Sequence, residues 1–123
     1  MKTMSEEFKR VATKEVNEEI ASISKILQNC NDDLSVTKKA TMIQKHVHKI
    51  KGLAPMMGQE EVGGIAALND KILKHLIEGN NLNDVFEILS ESNNFMKNCM
   101  QGSRTLFNEL KQKIETKYSK ILS

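Results

Sequence analysis

Two histidines stand two positions apart in the segment HVHKIKGLAPMMG, which covers residues 46–58. The apolar residues around them recur every three to four positions, a spacing that predicts an amphipathic helix. Because successive helical residues turn by about 100°, residues two apart point in directions about 200° apart. One helix face therefore cannot present His46 and His48 together, and each side chain needs its own explanation.

A helical wheel separates the environments of the two histidines. The stripe that should face the core runs through Ile43, Val47 and Ile50. His46 lies about 50° from the centre of that stripe, which predicts an amphipathic ring at the margin of the core. His48 points almost directly away from the stripe. Its position on the wheel alone therefore predicts that His48 is a solvated surface histidine.

Two neighbours on its own face make His48 a candidate for chemistry. Lys51, three residues on, can bring an ammonium group over the imidazole, and Gly52, four residues on, leaves no side chain above the ring. A neutral imidazole is a nucleophile near neutral pH, and a lysine stabilises the charge of a phosphoryl group. A metal site is disfavoured because no second ligand follows at three or four residues. The pattern favours phosphoryl transfer.

Length and composition define the class of protein. A chain of 123 residues predicts one domain over 1–123, and its helix-forming residues, with one Pro and no Trp, predict an all-α fold. A formal charge of +2 with interspersed signs argues against nucleic acid or an anionic membrane as the partner. Cys30 and Cys99 lack the CxxC spacing, and no apolar span or signal peptide is recognisable. We expect a cytoplasmic protein with free cysteines in its core, without metal or cofactor.

Apolar periodicity predicts four helical segments. The first covers about 4–29, the second runs from Val36 to Met57 with Ser35 as its cap, and the third covers 62–76. The fourth begins near residue 83 and is expected to continue as one long helix, bent or broken at Gly102, with an extension over about 103–122. Short connections favour an antiparallel up-and-down bundle over about 4–101. The seven methionines, including Met56 and Met57, are expected to fill the core.

The stretch HKIKGLAPMMG resembles the signature of histidine phosphotransfer (HPt) domains: His, any residue, Ile or Leu, Lys, Gly, small residues and a closing Gly. It is most similar to the N-terminal phosphoacceptor domain of CheA-type chemotaxis histidine kinases. The similarity runs over 48–79, through EEVGGIAALNDKILKHLIEG. It implies a bundle of four antiparallel helices, often followed by a fifth, with the phosphoacceptor on the second helix.

The resemblance also implies roles for four residues. His48 corresponds to the phosphorylated histidine, Lys51 to the lysine that approaches the phosphoryl group, and Gly52 to the glycine that opens the surface. Asp70 falls where the kinase-type domains carry a carboxylate that accepts a hydrogen bond from Nδ1 of the ring. We expect Lys51 and Asp70 to act on opposite sides of that ring.

The sequence departs from the family pattern in three places. Asp70 is shorter than the usual Glu, so that a water molecule is an alternative to direct contact with the ring. Ala67 stands where a further histidine is often found. Pro55 predicts a kink or an early end of the helix beside the site. His75 is expected at the surface or the margin of the core.

The function implied by the resemblance is that of a histidine phosphocarrier. The catalytic domain of a histidine kinase would phosphorylate His48, and an aspartate of a response regulator receiver domain would then take the group. The alternative is a helical adaptor that docks a signalling partner without chemistry. The sequence has no nucleotide-binding motif, so the chain is expected either to be a separate relay protein or to be the phosphoacceptor domain of a larger kinase.

Overall fold

Helices form every regular element in residues 5–103 and 106–122, the part of the chain that the computed structural model describes. The all-α prediction is therefore confirmed. In chain order the elements are α1 (Glu6–Gln28), α2 (Asp33–Lys38), α3 (Ala40–Leu53), a 3-10 turn (Pro55–Met57), α4 (Glu60–Ile77), α5 (Val85–Met100), α6 (Phe107–Lys117) and α7 (Ser119–Leu122). None of the helices in these ranges is long and apolar enough to cross a membrane.

The four longest helices enclose the core. Helix α1 packs against α3 and α5, and α4 also packs against α3 and α5, so that each apolar stripe meets two others. Cys30 and Cys99 are both buried in the core, as predicted. The largest fully buried side chains are Ile23, Ile43, Ile50, Ile65, Ile72, Leu73, Ile88, Leu89, Met96 and Ile114.

Two buried amides fix the position of α5 relative to its neighbours. Asn93 donates from Nδ2 to the carbonyl of Ile20 (3.2 Å) and to Oγ of Ser24 (2.8 Å), both on α1. Asn69 of α4 donates from Nδ2 to Oγ of Ser92 (3.1 Å). Because a buried amide without partners is destabilising, these bonds select one register of α5 against α1 and α4.

The predicted helix over 36–57 is divided into three elements. Asp32, not Ser35, caps the first of them, because its carboxylate accepts the backbone N–H of Ser35 at 2.8 Å. Lys39 then leaves helical geometry, with φ −107° and ψ 11°, and α3 begins at Ala40. The prediction missed the break because apolar spacing continues across Lys39.

Pro55 ends α3 early and does not kink it. The helix stops at Leu53, since proline has no N–H to donate and its ring crowds the preceding turn. The 3-10 turn that follows closes at Gly58, whose φ of 86° lies in the left-handed region that glycine tolerates. The Pro55 ring lies directly against Gly63, where an added Cβ would stand 2.5 Å from Pro55 Cγ. This contact lets the chain reverse so that α4 packs along α3.

The expected long fourth helix is broken at Gly102. Helix α5 ends at Met100, and Gly102 has φ 101°, a conformation that ends a helix. Leu106 is exposed, contrary to the apolar pattern, whereas Leu110, Ile114 and Tyr118 are buried. Arg104 and Thr105 of the predicted extension, and Met4 of the predicted first helix, lie outside the described residues.

The prediction that the methionines fill the core is wrong for two of them. Met57 and Met96 are buried, but Met42 and Met56 are exposed. Met42 lies on the solvent side of α3, and the 3-10 turn directs Met56 outward. Met1, like Met4, lies outside the described residues.

Adjacent glycines of α4 should respond in opposite ways to alanine. Gly63→Ala should lower the free energy of unfolding by about 1–3 kcal/mol, because the new methyl group overlaps the rigid Pro55 ring. Gly64→Ala should raise it by up to about 1 kcal/mol, because the nearest atoms, on Phe107, lie 3.7 Å away and alanine favours the helix. Urea denaturation of both variants measures the difference. Equal effects would contradict the close contact with Pro55.

Candidate functional site

His48 presents its ring to solvent from the middle of α3, with 59% of the side chain exposed. The buried residues of this helix, among them Val47 and Ile50, occupy the opposite side, which is why His48 faces outward. One turn later, an added Cβ on Gly52 would meet nothing within 4 Å. The ring is therefore open to another protein on the side of Gly52.

A buried carboxylate lies beneath this exposed ring. Asp70 of α4 has 1% of its side chain exposed, and α3 supplies two of its partners. Gln44 donates from Nε2 to Oδ1 at 2.7 Å, and Lys51 donates from Nζ to Oδ2 at 3.2 Å. Lys74, one turn further along α4, brings its Nζ within 3.1 Å of the same Oδ2. Asp70 thus joins the two helices that flank the candidate site.

The partners of Asp70 keep it ionised. Burial alone would raise the pKa of this carboxyl group, because it removes the charged form from water. Hydrogen bonds from Gln44, Lys74 and Lys51 outweigh burial and hold the pKa of Asp70 below its ordinary value. A negative charge is therefore present under the ring at neutral pH.

Asp70 and His48 lie too far apart for a hydrogen bond. Nδ1 of His48 lies 3.7 Å from Oδ2 of Asp70, beyond the usual limit of about 3.2 Å. The expected arrangement of Lys51 and Asp70 on opposite sides of the ring is wrong, because the two side chains are bonded to each other. Nδ1 of His48 instead lies near Oδ2 of Asp70, which already accepts a hydrogen bond from Lys51.

The segment that carries His48 is strongly basic. Residues 36–59 include five lysines and two histidines but no aspartate or glutamate. Lys45 and Lys49 are exposed on either side of His48 in the sequence, and Lys51 is partly exposed. Carboxylates of neighbouring helices balance part of this charge, because Nζ of Lys49 lies 3.7 Å from Oε2 of Glu19 and Lys51 is bonded to Asp70.

The other two histidines have different surroundings. His46 is partly buried, as predicted, and its Nδ1 lies 2.6 Å from Oε1 of Glu19 on α1. This contact ties α3 to α1 on the side away from Asp70. His75, near the end of α4, is partly exposed, and Ala67 one turn before Asp70 is partly buried.

Gln44 and Lys74 belong to this site although the sequence pattern did not predict them as members. Both were recognisable from helical spacing, since Gln44 precedes His48 by four residues and Lys74 follows Asp70 by four. Polar residues at such positions are common on any helix surface. Only the packing of α3 against α4 shows that they converge on one carboxylate.

No family model matches the chain, and neither a curated protein nor a solved structure gives a significant match. Within residues 5–103 and 106–122, no group of three or more His, Cys, Asp or Glu side chains is placed to hold a metal ion.

Removing the charge of Asp70 should change how stability depends on pH. The folded-state pKa is lowered, so the carboxylate stabilises the fold above its unfolded-state pKa, and this contribution disappears as pH falls through the folded-state value. Asp70→Asn should lower the free energy of unfolding by about 1–3 kcal/mol at pH 7, since hydrogen bonds to a charged group are lost. The difference from the wild type should shrink between about pH 5 and pH 2.

Urea denaturation at a series of pH values measures this effect. Stability curves of wild type and Asp70→Asn that run parallel throughout the acid range would contradict an ionised, bonded Asp70 in the folded protein.

Proposed function

We propose that this chain is a histidine phosphocarrier of a two-component phosphorelay, with an HPt-type bundle formed by α1, α3, α4 and α5. His48 receives a phosphoryl group from the catalytic domain of a histidine kinase and passes it to an aspartate of a response regulator receiver domain. The observation that carries the proposal is the exposed His48 ring, whose Nδ1 faces the buried carboxylate of Asp70 with Lys51 beside it.

The first half-reaction needs a nucleophilic nitrogen that points away from the protein. Because Nδ1 faces Asp70, the favoured neutral tautomer carries its proton on Nδ1 and keeps the lone pair on Nε2. That lone pair attacks the γ-phosphorus of ATP held by the kinase, and the bond between this phosphorus and the bridging oxygen breaks. ADP leaves with the bonding electrons, while Nδ1 retains its proton. The ring becomes cationic, and the Asp70 carboxylate stabilises it.

The second half-reaction returns the site to its resting state. A carboxylate oxygen of the receiver attacks the phosphorus, the N–P bond breaks, and its electron pair returns to Nε2. Lys51, whose Nζ is bonded to the Asp70 oxygen that Nδ1 of the ring faces, neutralises part of the charge on the phosphoryl group as it moves. The open surface at Gly52 admits the receiver to the ring.

Substitution of single histidines tests which ring carries the phosphoryl group. His48→Gln should abolish uptake from the kinase with a change in stability of less than about 0.5 kcal/mol, because the side chain is exposed. His46→Gln should retain uptake but lower the free energy of unfolding by about 1 kcal/mol, because it weakens the contact with Glu19. Radiolabelled phosphate transfer and urea denaturation measure the two properties.

The adaptor alternative predicts a different result from the same variants. Exposed Met42 and Met56 lie on the segment that carries His48 and provide apolar area for docking. If His48→Gln binds the receiver domain and supports signalling as well as the wild type does, docking without phosphoryl transfer is the function. Phosphate recovered on His46 or His75 would also contradict the proposed site.

Gly52→Gln tests whether the glycine provides access to the ring. The substitution should raise the free energy of unfolding by several tenths of a kcal/mol, because glutamine favours the helix more than glycine does. It should nevertheless slow transfer to the receiver about tenfold, because a long side chain then stands in the approach path. Gly64→Ala is a control for added helix propensity away from His48. A Gly52→Gln protein that transfers at the wild-type rate would show that access does not depend on Gly52.

A further inference from the structure

Three nitrogen donors converge on a single oxygen at the centre of the site. Oδ2 of Asp70 has Nζ of Lys74 at 3.1 Å, Nζ of Lys51 at 3.2 Å and Nδ1 of His48 at 3.7 Å. A carboxylate oxygen offers two lone pairs in the carboxylate plane, and the two lysines are at bonding distance. The imidazole is therefore held just outside hydrogen-bond range while both lysines are bound.

Phosphorylation changes what each of these donors requires. The phosphorylated ring is cationic with its proton on Nδ1, so it needs an acceptor, and the phosphoryl group on Nε2 needs a cation. Lys51 can supply the cation for the phosphoryl group. It lies on the same helix as His48, and 41% of its side chain is exposed. If Lys51 leaves Oδ2, a lone pair becomes free for the ring.

The buried carboxylate still requires a cation after Lys51 has left. An uncompensated charge in the interior is strongly destabilising, and the nearest remaining ammonium belongs to Lys74. Lys74 projects from α4, so its position does not depend on movement of the Lys51 side chain. Gln44 also stays in place at Oδ1 and keeps Oδ2 directed at the ring.

We propose that Lys74 is a positioning residue that allows Lys51 to exchange between Asp70 and the phosphoryl group on His48. In the resting state both lysines bind Oδ2. In the phosphorylated state Lys51 binds the phosphoryl oxygens, and Oδ2 accepts from Nδ1 of His48 and from Lys74. This exchange rests on the proposed function and assigns how the same site changes when it is loaded.

Phosphoramidate, a small phosphoryl donor, tests the exchange without a protein partner. In its reaction with the whole chain, Nε2 attacks phosphorus, the P–N bond of phosphoramidate breaks, and ammonia leaves with that electron pair. Lys74→Met should lower the rate constant for uptake about three- to fivefold, because Lys51 then remains bound to Asp70. Lys74→Arg should retain at least about half of the wild-type rate, since it preserves the cation.

A double-mutant cycle separates this role from general charge attraction. Lys51→Met should slow uptake about as much as Lys74→Met, and the double variant should be no slower than Lys51→Met alone, because Lys74 acts through Lys51. Lys71→Met, which removes an exposed lysine from the same helix, is the matched control and should react at the wild-type rate. NMR of the lysine ammonium groups should show Lys51 shifting on phosphorylation while Lys74 keeps its carboxylate partner.

Several results would overturn the exchange. Multiplicative losses in the double variant would mean that the lysines act independently, and an equal loss in Lys71→Met would mean that only overall charge matters. A Lys74→Met protein that takes up phosphate on His48 at the wild-type rate would reject the exchange but leave the proposed function intact. A wild-type protein that takes up no phosphate on His48 from either phosphoramidate or a kinase would reject both.

Discussion

The site depends on one buried negative charge. Asp70 is almost fully removed from water, and such a carboxylate is tolerated only when hydrogen bonds and opposite charges replace its hydration. Gln44 and Lys51 reach it from α3, and Lys74 reaches it from α4. The two contacts from α3 also hold that helix against α4, whereas the contact with Lys74 lies within α4. The contacts with Asp70 therefore contribute both to the stability of the fold and to the negative charge beneath His48.

The turn between α3 and α4 makes this arrangement possible. Pro55 stops α3 at Leu53, and the absence of a side chain at Gly63 lets the proline ring pack against the start of α4. The chain then returns along α3, which brings Asp70 beneath His48. The contact between Pro55 and Gly63 thus fixes the relative position of the two helices.

The sequence predicted the elements and the outward direction of His48 more successfully than it predicted contacts between helices. Apolar periodicity is a local property, so it identified the core faces of α1, α3, α4 and α5. It could not detect the break at Lys39, which depends on backbone geometry and on the cap at Asp32. The roles implied by the resemblance placed Lys51 and Asp70 on opposite sides of the ring, because they carried no information about how α3 packs against α4.

The identity of the nitrogen that becomes phosphorylated tests the proposed role of His48 most directly. Protein labelled with ¹⁵N in its histidines can be treated with phosphoramidate, and long-range ¹H–¹⁵N spectra then distinguish Nδ1 from Nε2 in each ring. We expect phosphorylation at Nε2 of His48, with the proton retained on the Nδ1 that faces Asp70. Phosphorylation at Nδ1 of His48, on another histidine, or on none would contradict it.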